Sequence, residues 1–217
     1  AHADSTGGHG IIDAGGVQWM KAGNGIVHDE MIPADLRKNG GTLHSFQFWI
    51  NLPAKNKAEP AEYLPIPAED LPVVALPSGR AHLKVLLGTY DGYTAPISTF
   101  AEEFIWHVRI ESTGSAKVDL PKGLHVAGFL PVQDAVVSGT QISAQRSFVL
   151  SEEGTEIEIL NPSADPLDVL LFGGKPIADP VAIRGPFVMN TEAELTEAFR
   201  EYRAGNYGQI TYPPEVA

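Results

Sequence analysis

Two side chains able to handle a metal or a proton stand two residues apart in the run Ile26-Val27-His28-Asp29-Glu30-Met31. On a β-strand, positions i and i+2 point to the same face. His28 and Glu30 then look into one space with Ile26 beside them, and Asp29 looks the other way. An imidazole nitrogen and a carboxylate oxygen converging in this way suit a divalent metal such as Fe(II), Mn, Ni, Cu or Zn. The pair also suits acid/base work without a metal, or a plain ion pair on an edge strand. H-x-E is short and common, and its spacing alone leaves all three readings open.

The remaining chemistry-bearing groups point less sharply. His44 alternates with aromatic residues in Leu43-His44-Ser45-Phe46-Gln47-Phe48-Trp49-Ile50-Asn51-Leu52, which predicts a buried, hydrogen-bonded histidine ahead of the alternative, a pocket or ligand role. His2, His9, His82, His107 and His125 show no ligand-like spacing with one another, and His107 reads as a strand position with a satisfied side chain. Asp4-Ser5 reads as part of a turn. No G-x-S-x-G elbow is present to support a serine triad. Gly173-Gly174-Lys175-Pro176 departs from a phosphate loop, because Pro176 removes a donor N–H where Ser or Thr is needed. It reads as a turn ending a strand.

The elements that must position these groups are mostly short strands. Val17–Met20, Ile26–Met31 and the alternating run Leu43–Leu52 come first, with a polar loop expected at 33–41. A Pro- and Glu-rich connection follows over 53–80. Further strands are expected at His82–Gly88, Phe104–Ile110, Val126–Val132, Ala135–Val137, Ser147–Leu150, Thr155–Leu160 and Val169–Phe172. Many short strands at roughly ten-residue spacing indicate a sandwich or barrel. One helix stands out at 191–204. Thr191-Glu192-Ala193-Glu194 is a capping box, Leu195, Ala198, Phe199 and Tyr202 form one apolar stripe, and Gly205 stops the helix.

The 217 residues carry a net charge of −12, which disfavours direct nucleic-acid or membrane binding through a basic face. Zero cysteines exclude a disulfide framework and thiolate metal sites, and suit a reducing compartment. No apolar run approaches the roughly 18–20 residues that span a bilayer.

Four runs taken together resemble the pirin family of the cupin superfamily. They are Gly16–Met31, Phe46–Pro53, Gly173–Pro180 and Gly185–Thr191, in the family's order from end to end. The resemblance implies a mainly β bicupin, two antiparallel jelly-roll barrels with a short C-terminal helix. It divides the chain into the remainder of an N-terminal metal-binding barrel plus crossover (1–96), a C-terminal barrel without ligands (97–180) and a C-terminal segment (181–217). His28 and Glu30 match two of the family's metal ligands, usually for iron. The other two form an H-x-H pair on an upstream strand, and no H-x-H occurs in this sequence. The first strands of that barrel and half the site are therefore expected outside it, and occupancy by two ligands alone is expected to be weak. The resemblance assigns no ligand role to His2 or His9.

It also implies an activity. Some pirins oxidise the flavonol quercetin in the manner of quercetin 2,3-dioxygenases, with Glu30 as both ligand and catalytic base for the substrate hydroxyl. The implied cofactor is Fe(II) or another divalent metal (Mn, Ni, Cu or Zn), and the implied partner a small aromatic substrate such as a flavonol. The alternative is a redox-responsive regulator that binds a transcription factor or a metabolic enzyme. A cytoplasmic location is expected, or a nuclear one in a eukaryote.

Overall fold

The computed structural model describes residues 1–151, 153–214 and 216. Strand makes up 37% and helix 11%, so the chain is mainly β with a short C-terminal helix, as expected, and its fold is cupin-like. It forms two compact units, one of residues 69–176 and one of 1–68 with 177–217. No helix among the described residues is long and apolar enough to cross a membrane.

The 69–176 unit is a sandwich of a six-stranded and a four-stranded antiparallel sheet. Strand Glu103–Ile110 shows how sequence makes it. Phe104, Trp106, Val108 and Ile110 are buried, while Glu103, Ile105, His107 and Arg109 are only partly covered. In the ladders Trp106 faces Leu171 and Val85, and Val108 faces Val169 and Leu83, so the apolar face continues across three strands. The second sheet adds Ala116, Val118, Val137, Ile157 and Ile159 to the same core. On the other face, His107 Nε2 bonds Asp168 Oδ1 at 2.8 Å and Arg109 donates to the same carboxylate. His107 is thus a satisfied strand residue. The strand Leu167–Gly174 carries Gly173, where a Cβ would stand 2.3 Å from the His125 carbonyl oxygen.

The other unit holds the H-x-E pair. Its strands before residue 69 are β1 (His2–Asp4), β2 (His9–Gly10), β3 (Val17–Lys21), β4 (His28–Glu30) and β5 (Glu62–Ile66). They form a three-stranded sheet in the order β2-β1-β4 and a β3-β5 pair, all antiparallel. The unit also holds helix α1 (Ala34–Asn39), a 3-10 turn at Ala54–Asn56, an antiparallel pair of Ala182–Arg184 with Phe187–Met189, and helix α2 (Glu192–Arg203) with its capping box between Thr191 and Glu194.

Three expectations change here. Leu43–Leu52 forms no strand, and Leu43, Phe46 and Trp49 are exposed at 60%, 45% and 61%. Alternation marks a face, but a strand exists only as a member of a ladder, and no described strand pairs with this run. His44 is accordingly exposed, its ring 5.0 Å from that of Phe46, and not buried. The polar loop over 33–41 contains α1, favoured by good helix formers after Pro33 and ended by Gly40 at φ +73°.

Candidate metal centre

The turn before β4 sets its entry. Gly23 has φ +51°, and a Cβ there would lie 2.1 Å from the Glu59 carbonyl oxygen. Gly25 has φ +113°, and its Cβ would meet the Tyr207 ring at 2.4 Å. Only glycine allows the left-handed backbone and the close approach together. The chain then pairs with β1 in the register His2↔Glu30, Ala3↔Asp29 and Asp4↔His28. Pairing is extended by Ser5 N–H to the Val27 carbonyl at 2.8 Å.

Alternation does what the spacing predicts. Asp29 points away and accepts a hydrogen bond from the Tyr212 hydroxyl at 3.0 Å. His28 and Glu30 share the opposite side, with His28 Nδ1 3.8 Å from Glu30 Oε1. That is an ion-pair distance and too long for a hydrogen bond. His28 Nδ1 is buried and has no hydrogen-bond partner among the described residues.

The opposing strand adds two residues that the spacing argument passed over. His2 is fully buried, and Asp4 is 1% exposed. His2 Nδ1 lies 2.9 Å from Glu30 Oε1, and Nε2 lies 3.0 Å from Asp4 Oδ2. The His2 ring stacks on Tyr63 of β5, and Gln18 of β3 donates to the Tyr63 hydroxyl at 3.0 Å. The Asp4 carboxylate also takes the Thr6 N–H, the Thr6 hydroxyl and the Gly8 N–H. Asp4 does shape a turn, as expected, but from the end of a strand. His2-Ala3-Asp4 has the same i, i+2 spacing as His28-Asp29-Glu30, and this was the available signal. His9, in contrast, is exposed and its Nδ1 contacts the Gly7 carbonyl at 2.9 Å.

The electrostatics favour charge at this site. The adjacent Glu30 carboxylate raises the His28 pKa against the opposing effect of burial. Burial pushes Glu30 up, but the imidazoles of His28 and His2 outweigh it and hold the carboxyl below its usual range. Burial also opposes ionisation of Asp4, yet the bonds from Thr6, His2 and Gly8 leave its pKa lowered.

One ligand atom each from His2, His28 and Glu30 lies within 4.8 Å of the others, a His/Glu cluster of the kind that can hold a metal ion. The test of fit is His28. Two donors about 2.1 Å from one ion stand no more than about 4.2 Å apart. The 3.8 Å between His28 Nδ1 and Glu30 Oε1 meets that limit, and an ion would satisfy the orphaned nitrogen. His2 differs, since both of its nitrogens already face carboxylates.

Comparison with known proteins agrees with this architecture. The family model described as Pirin matches residues 1–50, and that described as Pirin C-terminal cupin domain matches residues 105–208. A Pseudomonas aeruginosa protein provisionally named a quercetin 2,3-dioxygenase is 33% identical over 211 residues, covering 95% of this chain and 71% of its own. A pirin-like protein of Caulobacter vibrioides is 33% identical over 210 residues, covering 95% and 72%. The crystal structure of quercetin 2,3-dioxygenase from Acinetobacter baumannii superposes with a TM-score of 0.86 at 31% identity, covering 97% of this chain and 73% of that one. With 33% identity over 95% of its residues and both family models matched, the chain belongs to the pirin family.

Proposed function

We propose that this protein is a metal-dependent dioxygenase of the quercetin 2,3-dioxygenase type, oxidising a flavonol or a related enol with O2. The observation that carries the reading is the placement of His28 and Glu30 on one side of β4, with an unpartnered imidazole nitrogen 3.8 Å from a carboxylate oxygen. The substrate class is supported by the name of the Acinetobacter baumannii enzyme, which shares the fold at 31% identity.

In this reading His28, through Nδ1, and Glu30, through a carboxylate oxygen, hold a divalent metal, with Fe(II) the expected ion. When bound, the metal supplies Lewis-acid chemistry that makes an enolic hydroxyl more acidic. Glu30 is the group that receives the hydroxyl proton. Its lowered pKa keeps it ionised at neutral pH, the state that both binds a cation and accepts a proton. His28 would offer its Nδ1 lone pair once the ring is neutral, so a proton, favoured by the adjacent Glu30 carboxylate, competes with the cation for that nitrogen.

The test loads the purified protein with Fe(II) without oxygen, then adds quercetin and O2. Quercetin consumption matched by O2 uptake and carbon monoxide release is expected. Glu30→Gln should keep the fold and lower turnover by about 100-fold or more, the usual scale for a positioned base. Undiminished turnover in that variant removes Glu30 from the reaction. No turnover by the metal-loaded wild type removes the activity.

A further inference from the structure

Glu30 and His2 are unequal partners. The Glu30 side chain is 47% exposed, whereas that of His2 is fully buried. A long, half-exposed carboxylate samples several rotamers unless something fixes it. Among the described residues, only His2 stands within hydrogen-bond distance of the Glu30 carboxylate. The His2 ring is itself fixed in every direction. Asp4 holds Nε2 at 3.0 Å, and Tyr63 lies 5° from parallel at 3.9 Å, which sets the ring plane. Asp4 is locked in turn by Thr6 and Gly8, and a Cβ at Gly8 would lie 2.3 Å from Asp4 Oδ2. The order therefore runs from a hydrogen-bonded turn, through Asp4 and His2, to the half-exposed carboxylate of Glu30.

We propose that His2 is a positioning residue: anchored by Asp4 and stacked on Tyr63, it clamps one oxygen of Glu30 so that the carboxylate stays turned toward His28. The inference rests on the reading of Glu30 as a metal ligand. A carboxylate has about four lone-pair sites, so one accepted hydrogen bond leaves room for a cation. Orientation of a ligand by a neighbour of this kind commonly changes metal affinity by about 10–100-fold. The plain alternative is that His2 only fills the interior beside Tyr63.

Mn(II) binding to the full chain, followed by electron paramagnetic resonance, separates the two. His2→Phe keeps a ring against Tyr63 and removes both hydrogen bonds, so a loss of about 10–100-fold in affinity is expected. His2→Gln keeps one donor and should recover part of that loss. Asp4→Asn should lower affinity in the same direction by a smaller factor. In a Glu30→Gln background, His2→Phe should change affinity by less than about twofold, because the clamped group is gone. An equal loss in both backgrounds, or none in either, overturns the proposal. A second readout needs no metal. The carbon-13 carboxyl signal of Glu30, identified by its absence in Glu30→Gln, should move in His2→Phe and Asp4→Asn. If it stays in place the clamp does not exist. A wild type that takes no Mn(II) defeats the metal reading, while that signal still decides the clamp. Should His2→Phe fail to fold, His2→Gln and Asp4→Asn carry both readouts.

Discussion

The rings of His2 and Tyr63 lie 5° from parallel with centroids 3.9 Å apart, joining β1 and β5 across two different sheets. Burial pushes the Tyr63 phenol up to about 12, so it stays protonated over the working pH range. Tyr63→Phe keeps the stack and loses the bond from Gln18, which should cost about 1 kcal/mol. Tyr63→Ala loses the ring as well, and about 2–4 kcal/mol is expected. Urea unfolding of the two variants checks the difference. Equal costs would mean that the hydroxyl, and not the ring, carries the contribution of Tyr63.

The two sides of β4 should behave independently. Asp29 bonds Tyr212 on one side, while Glu30 meets His2 and His28 on the other. Asp29→Asn should leave Mn(II) affinity within about twofold, and Glu30→Gln should lower it by about tenfold or more, because only the second removes an anionic ligand. Isothermal titration of both variants decides it. A matching loss in Asp29→Asn would mean that charge near the site matters, and not its direction.

How far the residues disclosed this arrangement depends on the range of the interaction. Period-two alternation in Glu103–Ile110 and the capping box at Thr191 are local signals, and each appears where it was expected. The shared face of His28 and Glu30 is equally local, being geometry within one strand. Leu43–Leu52 has an equally good alternation and forms no strand, because a ladder requires a partner and alternation does not name one. The juxtaposition of His2 and Asp4 with Glu30 is not legible in the residues for the same reason. Their spacing is that of His28 and Glu30, but their place beside Glu30 comes from the register that sets His2 against it across the sheet.

Backbone strain at the entry to β4 can be separated from simple crowding. Gly205, after α2, has φ +78° and open space where a Cβ would stand, with no atom within 4 Å, so Gly205→Ala should cost only the conformational penalty of about 1 kcal/mol. Gly23→Ala adds a clash with the Glu59 carbonyl to a similar penalty, and a total of about 2–4 kcal/mol is expected. Thermal unfolding should show the larger drop for Gly23→Ala, together with weakened Mn(II) binding. A drop no larger than that of Gly205→Ala would show that the turn relaxes without disturbing β4.

The unit of residues 69–176 should carry a pH dependence of its own, far in sequence from the H-x-E pair. Burial raises the Glu103 carboxyl from its ordinary value of 4.5 to about 7, against a smaller lowering effect of the Thr99 hydroxyl. A carboxyl whose folded pKa is raised binds its proton more tightly in the native state than in the unfolded one. Its contribution to stability is therefore full below about pH 4.5 and is lost as pH rises through about 7. Glu103→Gln mimics the protonated form and should flatten this slope, so the variant should match the wild type near pH 5 and exceed it in stability near pH 8. Urea unfolding at the two pH values measures the effect. A wild type whose stability does not fall across this range, or a variant that falls in parallel with it, would show that Glu103 reaches solvent and titrates as an ordinary carboxylate.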